Sequence, residues 1–129
     1  MAPLTYTHNQ DQNIHVFHIH EASRAAVDAY AAEISKILQH IGTDSSIRII
    51  LDFSDSTLFP LQYMQRKMKS VGEKYAPVPP SYVAYICDHP GDRSLIQTLD
   101  HSRSIRREDN RQTFSSKDIQ AAIDWLLTK

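Results

Sequence analysis

Ser46–Leu61, SIRIILDFSDSTLFPL, is the stretch that decides the fold. Ile47 to Phe53 is almost continuously apolar, broken only by Arg48 near its start and Asp52 near its end. That is the pattern of a central strand buried on both faces. The run then gives way to two acids and three hydroxyls: Asp52, Ser54, Asp55, Ser56 and Thr57. Pro60 suits the first turn of a following helix, whose apolar stripe is Leu61, Met64, Met68, Val71 and Tyr75. In α/β domains the sheet edge meets a helix N-terminus at such a strand end, and working groups gather there.

On the N-terminal side, Leu4–His8 and Ile14–His20 read as two strands joined by the polar turn Asn9 to Asn13, so a hairpin is expected. Val27, Tyr30, Ile34, Ile37, Leu38 and Ile41 recur at helical spacing, and Gly42 is placed to stop that helix in the left-handed conformation. On the C-terminal side, Pro77, Pro79 and Pro80 end the second helix. A strand from Tyr82 to Cys87 and a loop at Asp88 to Asp92 follow. Arg93 to about Ser104 reads as a helix and Arg111 to Phe114 as a short strand. A final helix runs from about Lys117, capped by Ser115 or Ser116. Strands alternating with crossover-length helices predict an α/β fold: a mixed, mostly parallel sheet of four or five strands with about four helices. No repeat or linker interrupts residues 1–129, so one domain is expected.

Composition narrows the function classes. Fourteen basic and fifteen acidic residues nearly cancel, which favours neither nucleic acid nor a membrane surface as partner. No stretch approaches the roughly twenty apolar residues of a spanning helix. MAPLTYTHNQDQ has no basic region followed by an apolar run, so no signal peptide is expected. The single cysteine, Cys87, excludes an internal disulfide, and a cytoplasmic location is expected. The three glycines, Gly42, Gly72 and Gly91, stand far apart, whereas phosphate-cradling loops need several together. No cofactor is expected.

The layout, the Leu51-Asp52-Phe53-Ser54 strand end, and the ending Phe114-x7-Ala122-x2-Trp125-Leu126 resemble the STAS superfamily. Within it the chain is similar to the SpoIIAA-like proteins, over nearly its whole length from about Asn13. The resemblance implies a non-enzymatic regulatory or protein-protein interaction module. It also implies an Asp-Ser-Ser-Gly motif whose serine is phosphorylated by a partner kinase. Asp55-Ser56-Thr57 matches three positions if a short loop is lost after Ser54, and Leu58 stands where the family has glycine. Some relatives resemble the lipid-binding CRAL-TRIO fold, which implies an alternative: a carrier of a lipid or other apolar ligand between sheet and helices.

Ser54, Asp55, Ser56 and Thr57 are therefore the candidate phosphoacceptor or partner-contact residues. A phosphate there would meet the free N–H groups and positive dipole end of a helix. The plainer expectation is that Ser56 or Thr57 caps that helix. His15, His18 and His20 form a second group. Strand alternation puts His18 and His20 on one face and His15 on the other. A zinc site would need further ligands from His8, His89 or His101, so no metal is expected, and the three read as polar residues of an edge strand. Cys87-Asp88-His89 reads as a buried structural cysteine beside a loop, because a nucleophilic thiol needs a base within reach. Arg103, Arg106, Arg107 and Arg111 are interleaved with Glu108 and Asp109, and Arg66, Lys67, Lys69 and Lys74 line one helix face. Both sets read as solvated surface. Met64, Met68, Tyr63 and Tyr75 read as core packing or the wall of an apolar pocket. Trp125 reads as cover for a sheet edge or as an anchor for a partner. An uncovered edge strand or helix face would let the chain pair with a second copy.

Overall fold

In the computed structural model, which describes residues 2–42, 45–55, 59–91, 94 and 110–129, the two N-terminal strands form the expected hairpin. β1 (Leu4–Asn9) runs antiparallel to β2 (Ile14–Ile19), with Leu4 opposite Ile19 and Asn9 opposite Ile14. The turn closes because Asn13 takes a φ of 53°, which asparagine tolerates better than most residues. Asn9 Oδ1 also accepts from the Gln12 N–H at 3.2 Å.

β3 (Ile47–Asp52), β4 (Ser81–Ile86) and β5 (Arg111–Phe114) continue the sheet in sequence order, each parallel to its neighbour from β2 onward. The result is a five-stranded mixed sheet with one antiparallel edge. α1 (Arg24–His40) and α2 (Leu61–Lys74) make the first two crossovers, and α3 (Ile119–Leu127) follows a 3-10 turn at Ser116–Asp118. Successive crossovers that step the same way across a sheet with one hand place their helices on one face. α1 and α2 accordingly pack together over one face, while α3 packs on the other against β3, β4 and β5. Of the expected helix from Arg93 to about Ser104, Ser94 is helical, as are Pro90 and Gly91 just before it, and the rest lies outside the described residues. No helix among the described residues is long and apolar enough to cross a membrane.

Local chemistry sets most of the boundaries. Ser23 caps α1, its hydroxyl accepting from the Ala26 N–H at 3.1 Å, an interaction worth about 1 kcal/mol. The far end of α1 departs from expectation. Ile41 is already extended (φ −98°, ψ 144°) and no glycine has positive φ, so Gly42 is not a left-handed stop. The reversal from α1 into β3 therefore does not start with a left-handed residue at Gly42. Neither serine hydroxyl caps the last helix: α3 begins at Ile119, and Ser115 Oγ donates instead to Asp118 Oδ2 at 3.1 Å. The preceding turn is tied to the end of β4 by Asp88, which accepts from the Ser116 N–H at 2.8 Å and its hydroxyl at 2.7 Å.

The alternation of β3 feeds two cores. Ile47, Ile49, Leu51 and Phe53 join Phe17, Val27 and Tyr30 under α1 and α2. Ile50 joins Ile14, Ile86, Phe114 and Leu126 under α3. α1 and α2 are clasped outside the core, where the Tyr63 hydroxyl donates to Asp28 at 2.7 Å and Lys67 lies 3.4 Å from the same carboxylate. The hydrogen bond from Tyr63 is the main reason the Asp28 carboxyl sits below its usual range, with Lys67 and Arg24 adding to it.

His15 is the only buried polar or charged residue among those described. Its ring stacks on His8 at 4.1 Å, and its Nδ1 lies 2.7 Å from the Tyr6 hydroxyl. Burial pushes the imidazole down to about 4, and the neighbouring His8 adds to the shift. The ring is therefore neutral when folded. The unfolded chain, with an ordinary histidine near 6.5, takes up a proton more readily. Stability from His15 is thus fully present above about pH 6.5 and declines as pH falls toward 4. Urea midpoints measured across that window should show a loss of up to about 3 kcal/mol that His15→Phe removes. An identical pH profile in the variant would show that other groups carry the acid sensitivity.

Candidate functional site

Two places on the sheet gather groups that a purely structural account does not use. The larger is a cavity of about 550 Å³ between the sheet and the two helices above it. Its floor is Ile47, Ile49, Val83 and Tyr85, and its roof is Met64, Met68 and Val71 from α2, with Ile34 and Leu38 closing the α1 side. The α2 stripe explains the space. Leu61 and Met64 are buried, but Met68, Val71 and Tyr75 are only half-buried, because the second half of the helix overhangs the cavity instead of resting on the strands. The proline-rich link Ala76 to Pro80 holds that end away from β4, with Ala76, Val78 and Pro79 forming part of the wall. Gly72 adds room, since a Cβ there would meet nothing within 4 Å.

Lys69, Glu73 and Arg111 bring charge to this largely apolar space. Arg111, at the start of β5, sits beside Ser81 at the start of β4. Its Nη1 donates to the Ser81 carbonyl at 2.9 Å and the Asn110 carbonyl at 3.1 Å, and its Nη2 donates to Ser81 Oγ at 3.3 Å. Its Nε is buried and has no partner among the described residues. Leaving a buried donor unpaired costs about 1–3 kcal/mol. The expectation that Arg111 belongs to a solvated basic stretch is therefore corrected: pairing with β4 draws it into the sheet. Arg103, Arg106 and Arg107 lie outside the described residues. Tyr63 and Tyr75 do not line the cavity. Tyr63 is engaged by Asp28, and the Tyr75 hydroxyl accepts from Gln39 at 3.0 Å.

The cavity lies toward the N-terminal ends of the parallel strands, opposite to where working groups are expected in open α/β sheets. The C-terminal ends carry the second place. After β3, Asp52 Oδ1 accepts from both the N–H and the hydroxyl of Ser54, at 3.0 and 2.7 Å, which fixes a tight turn. That turn points Asp55 back at the hairpin, where Asp55 Oδ2 lies 2.6 Å from His18 Nε2. His20 lies beside His18 with ring centroids 4.7 Å apart, and its Nε2 is 2.6 Å from Thr5 Oγ1. Ser56 and Thr57 lie outside the described residues. α2 itself starts at Leu61 with Pro60 at the N-cap position, and no side chain caps it. Asp55 thus serves the histidines rather than the helix dipole. β2 is also not an edge strand, because β1 covers its outer side.

The remaining candidates are structural. Cys87 is wholly buried in the core beneath α1 and α2, while the half-buried His89 accepts from the Gly91 N–H through Nδ1 at 3.1 Å. Trp125 lies partly buried against Phe114, with ring centroids 6.1 Å apart. A thiol reagent added to the folded protein should therefore label Cys87 no faster than the protein opens, and urea should accelerate the reaction by orders of magnitude. Labelling within seconds under native conditions would contradict this placement.

No family model, no curated protein and no solved structure matches the chain. Its function is read from its own geometry.

Proposed function

We propose that the protein is a non-enzymatic binding module of the STAS, SpoIIAA-like type that holds a small apolar molecule with an anionic end in the cavity beneath α2. The observation that carries this reading is a cavity of about 550 Å³ with Ile, Val and Met walls that Arg111 also lines. Pockets of a few hundred cubic ångströms, mainly apolar with a few converging polar groups, are the usual form of small-molecule sites. Met64 and Met68 suit a flexible aliphatic chain because the thioether side chain repacks cheaply. Arg111 would take the carboxylate or sulfonate at the rim, aligned by Ser81. The strand order and N-terminal hairpin support the STAS-like assignment.

Decanoate and decanol titrated into the chain, followed by calorimetry, test the reading. Decanoate should bind more tightly, and Arg111→Met should reduce its affinity by about tenfold or more while leaving decanol little changed. Binding of neither compound, or an unchanged preference for decanoate in the variant, would refute it.

A second reading, regulation through contact with another protein, is favoured by the outer side of α3. Ile119 and Leu127 are 39% and 43% exposed there, with the half-buried Ile123 between them. If this side pairs two copies of the chain, sedimentation should detect a dimer that Ile119→Ser with Leu127→Ser converts to monomer. A monomeric parent chain would exclude self-association as its use.

A further inference from the structure

Among the described residues, His18, His20 and Asp55 form the one cluster in which three metal-ligating side chains converge. We propose that they bind a divalent transition-metal ion, with zinc as the best match. One ligand atom from each lies within 4.8 Å of the other two. Bonds of about 2.0–2.2 Å at tetrahedral angles set the ligand atoms of one zinc ion about 3.3–3.6 Å apart. Side-chain rotations that move these atoms by about 1 Å close the difference. The backbone has already done the costly part. β2 alternation brings the two imidazoles to one face, the parallel register sets His18 beside Asp52, and the Asp52–Ser54 turn returns Asp55 across them.

The donor set selects the metal. Two imidazoles and one carboxylate suit zinc and its neighbours in the first transition row, whereas calcium and magnesium favour all-oxygen sites. Three protein ligands leave a fourth position for water or an external ligand, and the exposure of Asp55 and His20 leaves that position accessible. Thr5, hydrogen-bonded to His20, orients that ring as outer-shell partners do at metal centres. His18 Nε2 and Asp55 Oδ2 lie 2.6 Å apart, and the ion takes the place of this hydrogen bond. The site lies on the face of the sheet opposite the cavity, because His18 and His20 alternate with Phe17 and Ile19 of the core under α1. It therefore stands or falls independently of the cavity reading.

The test is calorimetric titration of the chelator-treated full chain with zinc, followed by cobalt substitution and visible spectroscopy. One zinc ion per chain is expected, with the intense d–d bands of low-symmetry cobalt. Thr5→Val should weaken zinc binding by about tenfold and His18→Ala or His20→Ala by about 100-fold or more. Asp55→Asn preserves shape and should also weaken it, which guards against loss of fold as the explanation. His89→Ala should leave affinity unchanged. Absence of saturable binding, or binding that survives His18→Ala combined with His20→Ala in a chain with native circular dichroism, would overturn the proposal.

Discussion

Burial of β3 on both faces is the constraint from which the rest of the structure follows. Ile47, Ile49, Leu51 and Phe53 build the core beneath α1 and α2, and Ile50 builds the core beneath α3. A strand with no solvated face must have its hydrogen bonds taken up by neighbours on either side, so β2 and β4 are required partners. Its two charged residues are usable only at its ends. Arg48 spends its guanidinium on the Gln12 carbonyl at 3.0 Å and the Lys129 carbonyl at 3.1 Å, joining the hairpin turn to the last residue of the chain. Asp52 folds the turn that presents Asp55.

The two faces of the sheet are covered unequally, and both functional readings arise from that inequality. On one face, two helices span more width than their apolar stripes can fill. Leu61 and Met64 anchor α2 at its start, and its second half roofs the cavity. On the other face α3 covers β3 to β5, while the outer side of the hairpin carries Thr5, His18 and His20 and bears no described helix. Polar ligating groups can stand there without a desolvation cost, and an apolar ligand can be shielded on the opposite side. His15 marks the boundary, since one step along β2 moves an imidazole from the exposed face into the buried one.

Much of the architecture was legible in particular residues. The stripe Val27, Tyr30, Ile34 and the run Ile47 to Phe53 specify a helix and a buried strand by period alone, and Asn9 to Asn13 specify the reversal between β1 and β2. The pairing of His18 with His20 followed from strand alternation. Capping was less legible. Gly42, Ser115 and Ser116 each carry a strong local preference, yet none of them caps its helix in the expected way. Arg111 was misplaced because its sequence neighbours are charged, and its only distinguishing signal was its position at the first residue of a short strand.

The chain by itself determined the element types, their order, the hairpin and the residues facing the core, because these rest on local geometry and on the period of apolar side chains. Tertiary structure alone decided the cavity and the His18–His20–Asp55 cluster. The cavity depends on how far α2 lifts from the strands, which no spacing within α2 encodes. The cluster depends on Asp55 crossing to a histidine 37 positions earlier, a contact created by parallel pairing of β2 with β3. Side-chain period reports which way a residue points. It does not report what another segment will bring to meet it.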